Sequence, residues 1–144
     1  MSALLEGYSL CERQQGFSQL IGPFYQQLDD PAQCAVLIEA QHCNPEGFLH
    51  GGMTMGFIDF LMYHAIGLEF GIDSKSPTLQ ADVQFLSGGR AGELLLGRAD
   101  ISHTTGSMIF CRCQVWVAEG EAGDGKQRKV AQASGLYKKM RKKT

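Results

Sequence analysis

The sequence has no strong excess of charge of either sign, which excludes one broad class of partner. In 144 residues, 13 Lys and Arg face 15 Asp and Glu, for a formal charge of −2. Nothing in this balance predicts a nucleic-acid-binding surface. The basic residues are unevenly placed, since five of the 13 follow Tyr137. We therefore expect an acidic body and a basic C-terminal tail over residues 139–144. Such a tail is most often a solvated, frayed terminus.

The chain also lacks a long hydrophobic run. Its longest apolar-rich stretch, residues 53–70, is interrupted by Asp59, His64 and Glu69, which does not fit a membrane span of about 20 apolar residues. The first residues contain neither a basic nor an apolar leader region, and the five cysteines are an odd number. We expect a cytoplasmic protein with reduced thiols and no membrane span.

Motifs for metals and nucleotides are missing too. No Cys-x-x-Cys pair is present, and Cys111 and Cys113 alternate onto an apolar strand face, which favours a core position. No phosphate loop or dinucleotide fingerprint occurs, which argues against ATP or NAD. His42, Cys43 and His50 could form a Cys/His nucleophile, but no orienting group is evident. We expect no metal and no tightly bound cofactor.

What the sequence does contain is the pattern of one α+β domain. A hydrophobic content of 44% in 144 residues fits a single core. Residues 1–30 are predicted to be a helical lead-in and residues 31–138 the main domain. Within it, residues 34–41 predict a strand. The apolar run from Gly51 to about Phe70 predicts a helix buried on most sides.

After this helix the pattern changes to a period of two. Alternate residues from Leu79 to Phe85 are apolar and Thr78 falls on the opposite face, which is typical of a half-buried strand. Three more strand-like segments cover residues 93–102, 107–119 and 129–138. Such elements bury best when an antiparallel sheet of five or six strands curls around one long central helix.

The predicted helix carries one acid that an apolar helix does not need. An ionised carboxylate such as Asp59 is costly in apolar surroundings unless it is paired, hydrogen-bonded or solvated by a site. Gly52, Gly56 and Tyr63 share its face of the helix, so we expect a groove there in which these residues bind the substrate. The alternative is that Gly56 allows close packing and Asp59 is a satisfied structural acid.

The start of the helix offers a second feature. His50, Gly51 and Gly52 stand where the first N–H groups have no internal partner and the dipole is positive, a ready site for an oxyanion or a carbonyl. The preceding turn places Asn44 near the helix start, where its side chain could orient a water or a carbonyl. An Asx turn is the simpler role for Asn44.

Together these residues resemble a known family. The motif Asn44-x-x-Gly47-x-Leu49-His50-Gly51-Gly52, followed by Asp59 and the alternating strand over residues 78–86, resembles the PaaI-like acyl-CoA thioesterases of the hotdog-fold superfamily. The similarity covers roughly residues 33–138.

The resemblance implies a role for each of these residues. The Gly51 N–H would polarise the thioester carbonyl, and Asp59 would act as general base or nucleophile. Asn44 and His50 would hold the carbonyl and the water, and Thr78, on the strand of a neighbouring subunit, would complete the site. Arg90 and the basic tail could attract the phosphates of coenzyme A.

The expected site needs two chains. Asp59 lies about 12 Å along the axis from Gly51 if the helix is uninterrupted, too far for both to touch one carbonyl. A homodimer or a dimer of dimers removes the difficulty. We expect hydrolysis of an acyl-CoA. A non-catalytic acyl-CoA or acyl-carrier binding module, or a hotdog hydratase or dehydratase, is the alternative.

Overall fold

The centre of the molecule is one long helix. The computed structural model describes residues 2–12, 14–119 and 125–140, and in it the helix spans Gly51–Phe70, as predicted. His50 caps its N-terminus, because the Gly52 N–H donates to His50 Nδ1 at 2.8 Å. Gly71 ends it with a φ of 104°, which only glycine adopts readily.

Seven strands form one antiparallel sheet against this helix. Their bounds are β1 Tyr8–Leu10, β2 Tyr25–Gln27, β3 Gln33–Leu37, β4 Thr78–Phe85, β5 Leu94–Thr104, β6 Met108–Ala118 and β7 Gln127–Lys138. The order across the sheet is β1-β2-β3-β5-β6-β7-β4, so β4 lies at an edge beside β7. The predicted α+β architecture is confirmed, with one strand more than the upper number expected.

The first thirty residues differ from the predicted helical lead-in. They contain one five-residue helix, α1 Phe17–Ile21, and the two strands β1 and β2. Because β1 pairs with β2 and β2 pairs with β3, this segment extends the sheet. The helical prediction was wrong because strands of three residues are too short to show a period, and only their tertiary pairing defines them. The long helix Gly51–Phe70 is therefore α2.

The core lies between α2 and the inner face of the sheet. On β6 the alternate residues Ile109, Cys111, Cys113, Val115 and Val117 are all buried. This confirms the core position predicted for the two cysteines. Their thiols have a raised pKa, mainly because burial disfavours the thiolate.

α2 packs closely on the sheet because Gly97 of β5 has no side chain beneath it. A Cβ at Gly97 would overlap Leu61 Cδ1 and stand 3.1 Å from Phe57 Cε2. Both partners are fully buried and belong to α2. The sheet thus fixes the position of the helix.

Two further points concern the ends of the chain and its helices. No helix among the described residues is long and apolar enough to cross a membrane. Most of the predicted basic tail, residues 141–144, lies outside the described residues. So does most of residues 119–126, where Asp124-Gly125 predicts a hairpin connection between the last two strand-like segments. Lys139 is described, and its Nζ lies 5.0 Å from the centre of the Phe70 ring.

Gly97→Ala tests the close packing of α2 against β5. The added methyl has no free volume, so we expect the free energy of unfolding to fall by about 1–3 kcal/mol, as for other overpacked cores. Gly106→Ala is the control, since a Cβ there meets nothing within 4 Å. Denaturant unfolding measures both. Equal stability of the two variants would contradict the packing described here.

Candidate active site

The loop before α2 presents the start of the helix. Asn44 Oδ1 accepts hydrogen bonds from the N–H groups of Glu46 at 3.1 Å and Phe48 at 3.0 Å. Cys43 and Leu49 pair across this turn as an isolated β-bridge. The simpler role foreseen for Asn44, an Asx turn, is therefore present, and the loop returns the chain to the helix start as predicted. The side-chain Nδ2 of Asn44 donates a hydrogen bond to no described residue.

The Gly51 N–H in the first turn of α2 is an unused donor. His50 Nδ1 satisfies the Gly52 N–H, which leaves Nε2 as the ring nitrogen available to a ligand. The Gly51 N–H has no acceptor among the described residues. A Cβ at Gly51 would lie 3.6 Å from the Phe85 ring, so this donor lies beside β4. A partial positive charge with an open N–H favours an oxyanion or a polarised carbonyl.

Arg90 lies at the same end of the helix. It pairs with Phe48 as a β-bridge, and the Leu49 N–H donates to the Gly89 carbonyl at 2.8 Å. The Arg90 guanidinium stands 4.4 Å from the centre of the Phe48 ring. Among the residues that the structure describes, no carboxylate pairs with it. This cation is therefore available to an anionic ligand.

Asp59 lies two turns further along α2, where two hydroxyls hold it. Thr78 Oγ1 donates to Asp59 Oδ1 at 2.7 Å, and the Tyr137 hydroxyl donates to the same oxygen at 2.6 Å. Asp59 Oδ2 accepts no hydrogen bond from the described residues. Although Ile58 and Phe60 on either side are buried, Asp59 itself is exposed on this chain. The expectation of a carboxylate in apolar surroundings was therefore wrong, because this carboxylate meets solvent and the hydroxyls of two sheet residues, Thr78 and Tyr137.

Thr78 faces the helix, contrary to the prediction that it lies opposite the apolar face. A β-bulge separates Thr78 from Gln80 in the pairing with β7, which reverses the alternation at the start of β4. Thr78 therefore lies opposite Tyr137, and residues directly opposite in an antiparallel pair share a face. Its hydroxyl binds the carboxylate of its own chain.

Tyr137 is a site residue that the sequence analysis missed. Its side chain is fully buried, and burial raises the pKa of its hydroxyl, with a further rise from the hydrogen bond to Asp59. The phenol therefore stays protonated and donates. In the sequence it resembled a core residue of β7, and the only available signal was that a buried Tyr hydroxyl must find a partner.

Gly56 and Tyr63 do not join this cluster. A Cβ at Gly56 would stand 2.8 Å from Ile21 Cδ1 and 3.3 Å from Phe17 Cε1, so α1 fills the groove expected there. This fits the packing alternative for Gly56. Tyr63 donates from its hydroxyl to the Ser74 carbonyl at 3.1 Å and lines a separate cavity of about 300 Å³. Substrate binding by Gly52, Gly56 and Tyr63 stays a prediction.

The Cys/His nucleophile has no support in the geometry. His42 uses both ring nitrogens on the backbone, accepting from the Glu39 N–H at 3.0 Å and donating to the Ile21 carbonyl at 2.6 Å. The Cys43 thiol lies 3.5 Å from the Glu39 carbonyl. Because both nitrogens of His42 are engaged, this histidine is not free to act as a base for Cys43.

The Gly51 N–H donor and the Asp59 carboxylate lie far apart on one chain. Gly51 and Asp59 belong to one uninterrupted helix, so they stand about 12 Å apart along its axis. A single chain presents two half-sites, one with an N–H donor and a cation, the other with a carboxylate held by two hydroxyls.

Known proteins with similar sequences point to ester chemistry. The family described as the thioesterase superfamily matches residues 46–123, more than half of the chain. A Pseudomonas aeruginosa protein provisionally named an esterase is 25% identical over 134 residues, covering 92% of this chain and 94% of that protein. A Caenorhabditis elegans protein with a similar name is 27% identical over 81 residues, 56% of this chain, which thus matches about half (47%) of that protein's length.

Solved structures of similar shape share the hotdog fold. The E. coli PaaI protein from the phenylacetic acid degradation operon has a TM-score of 0.65 at 18% identity, covering 82% of this chain and 73% of that one. A hypothetical thioesterase from Streptococcus pneumoniae, solved with coenzyme A, has a TM-score of 0.65 at 16% identity, covering 97% and 91%. A hexameric broad-specificity acyl-coenzyme A thioesterase has a TM-score of 0.64 at 17% identity, covering 75% and 78%.

Proposed function

The chain belongs to the thioesterase superfamily, and within it we propose that this protein hydrolyses an acyl-coenzyme A thioester to the free acid and coenzyme A. The observation that carries the proposal is the pair of half-sites on α2. Gly51 supplies an unused N–H at the helix start, and Asp59 supplies a carboxylate whose Oδ1 is held by two hydroxyls. This reaction needs two groups: a hydrogen-bond donor that stabilises the oxyanion, and an oxygen atom that acts as base or nucleophile.

The chemistry follows from these groups. Asp59 takes a proton from a water whose oxygen bonds to the thioester carbonyl carbon. Alternatively, its carboxylate attacks that carbon directly and forms a mixed anhydride, which a water then hydrolyses to the free acid and the regenerated carboxylate. The negative charge on the carbonyl oxygen is stabilised by the Gly51 N–H and the helix dipole. When the tetrahedral intermediate collapses, the carbon–sulfur bond breaks. The thiolate is stable enough to leave with little acid assistance.

The active site is composite, with Gly51 of one chain facing Asp59 of another. The separation along α2 requires this, and the surface of β4 supports it. β4 is an edge strand; Leu79 and Phe85 on it are 48% and 53% exposed, and Leu86 just after it is 49% exposed. Exposed apolar side chains along an unpaired strand edge favour self-association. A hexameric assembly is described for one thioesterase of similar fold.

Coenzyme A would enter at the Gly51 end. The Arg90 guanidinium lies there without a carboxylate partner among the described residues, and it suits a phosphate. Asn44 Nδ2 and His50 Nε2 remain available at the same end for the carbonyl or the water. The Streptococcus pneumoniae thioesterase of similar fold was solved with coenzyme A.

Asp59→Asn tests the role of the Asp59 carboxylate as base or nucleophile. The amide keeps an oxygen for Thr78 and Tyr137 but can neither accept the proton nor attack, so we expect turnover to fall at least about a hundredfold with the fold retained. Thiol release from aryl, short, medium and long acyl-CoAs measures it, with the exposed Asp73→Asn as control. Near-wild-type turnover would remove Asp59 from the mechanism and favour a binding module.

Gly51→Pro tests the donor. Proline is accepted at the first position of a helix, and His50 has the extended backbone that a residue before proline requires, at φ −69° and ψ 136°. The substitution therefore deletes one N–H and keeps the helix. We expect turnover to fall about a hundredfold or more, while Gly51→Ala, which keeps the N–H, stays within a few-fold of wild type. Equal activity of the two variants would show that the Gly51 N–H does not stabilise the oxyanion.

Tyr137→Phe and Thr78→Val test how Asp59 is held. Each removes one hydroxyl from Oδ1 and preserves the shape of the side chain. Loss of one hydrogen bond to a charged group predicts a tenfold to hundredfold fall in turnover with little change in KM, about 1.5–3 kcal/mol. Tyr25→Phe, on the distant strand β2, is the matched control. The role would be withdrawn if the loss of activity merely followed a loss of folded protein.

A further inference from the structure

Two cysteines and one histidine meet away from the proposed active site. The sulfur atoms of Cys11 and Cys34 lie 4.0 Å apart. A ring nitrogen of His64 completes the group, and the three donor atoms all lie within 4.8 Å of one another. Cys11 follows β1, Cys34 lies in β3 and His64 lies in α2, so three separate parts of the chain converge here.

The donor set is that of a zinc site. Two thiols and an imidazole are the ligands that Zn²⁺ takes most often in tetrahedral sites. At the usual bond lengths, such a site places its sulfur atoms about 3.8 Å apart and each sulfur about 3.5 Å from the nitrogen. The observed separation of the sulfurs, 4.0 Å, is already close to the first value. Side-chain movements of about 1 Å would bring the nitrogen to bonding distance.

His64 is held in the way that metal-binding histidines are. Its Nε2 lies 2.8 Å from the Pro31 carbonyl oxygen, which can only accept, so Nε2 carries the proton and Nδ1 keeps a lone pair. An outer hydrogen bond of this kind to a backbone carbonyl fixes the tautomer of a ligating imidazole. The Phe60 ring stacks on the imidazole at 5.7 Å between centroids, which fixes the plane of the ring.

The cluster combines burial with access. Cys11 is 5% exposed and Cys34 is fully buried, so bulk water does not compete for the two sulfurs. His64 also lines the cavity of about 300 Å³ mentioned above, together with Glu12, the neighbour of Cys11. The cavity thus borders the cluster on its imidazole side, from which an ion and a water as fourth ligand would enter.

We propose that Cys11, Cys34 and His64 bind one Zn²⁺ ion that joins the N-terminal segment to the sheet and to α2. Such a link would add to the strand pairing of β1 and β2, because among the segment's described residues only Leu5, Cys11 and Phe24 are buried hydrophobics. A metal bond between distant parts of the chain supplies stability that so small a core does not provide. This proposal departs from the expectation of no metal, which the cobalt and zinc titrations below test.

Cobalt titration tests the site directly. The reduced full chain, stripped with a chelator, is titrated with Co²⁺, whose thiolate bonds give an intense near-ultraviolet charge-transfer band, and then with Zn²⁺. We expect one equivalent of Co²⁺ per chain and complete displacement by Zn²⁺. Cys11→Ser and His64→Gln should each weaken binding at least about a hundredfold, more than the loss of an outer hydrogen bond costs.

A matched cysteine and a second readout complete the test. Cys34→Ala should abolish the band, whereas Cys113→Ala, an equally buried strand cysteine outside the cluster, should keep it. The Tm should rise with Zn²⁺ concentration in wild type and in Cys113→Ala, but not in Cys11→Ser, because an ion that binds only the folded state stabilises it. If Cys34→Ala does not fold, Cys11→Ser and His64→Gln decide the matter.

Three results would overturn the proposal. They are the absence of a charge-transfer band, less than one equivalent of zinc by native mass spectrometry, and binding unchanged in Cys11→Ser and His64→Gln. None of these measurements involves a thioester. Failure of the zinc site therefore leaves the proposed hydrolysis untouched, and the reverse also holds.

Discussion

The fixed rise of a straight helix is the constraint on which the proposed site depends. It keeps the open N–H of Gly51 and the carboxylate of Asp59 about 12 Å apart, and no side-chain rotation closes that distance. The sheet holds the helix in place, because Gly97 lets Leu61 and Phe57 pack directly against β5. A chain built in this way cannot place both groups on one carbonyl. The proposed chemistry therefore requires a second copy.

The second half-site is a product of sheet order. β4 pairs with β7, so the bulge at the start of β4 places Thr78 opposite Tyr137, and both hydroxyls meet Asp59 Oδ1. One oxygen of the carboxylate is thus oriented while the other keeps its lone pairs for a water or a substrate. A single strand pairing turns an exposed helical acid into a positioned one, which links the fold to the proposed reaction.

The sequence could predict what local periodicity encodes. The limits of α2, the alternation of β6 and the turn at Asn44 all follow from residues that are close together in the chain. The orientation of Thr78 could not be predicted, since a bulge depends on the pairing of two strands. Tyr137 lies 78 residues from Asp59, and Cys11, Cys34 and His64 share no spacing motif. Contacts of that kind exist only after the sheet has formed, so no window of sequence contains them.

Subunit complementation tests the composite site most directly. Gly51→Pro and Asp59→Asn chains are prepared separately, mixed, and allowed to exchange subunits, with heterodimers confirmed by native mass spectrometry. Each heterodimer would carry one site with both defects and one with neither, so a random mixture should regain about a quarter of wild-type turnover. Heterodimers that form and remain inactive would contradict the account, because they would show that the donor and the acid do not act across the interface.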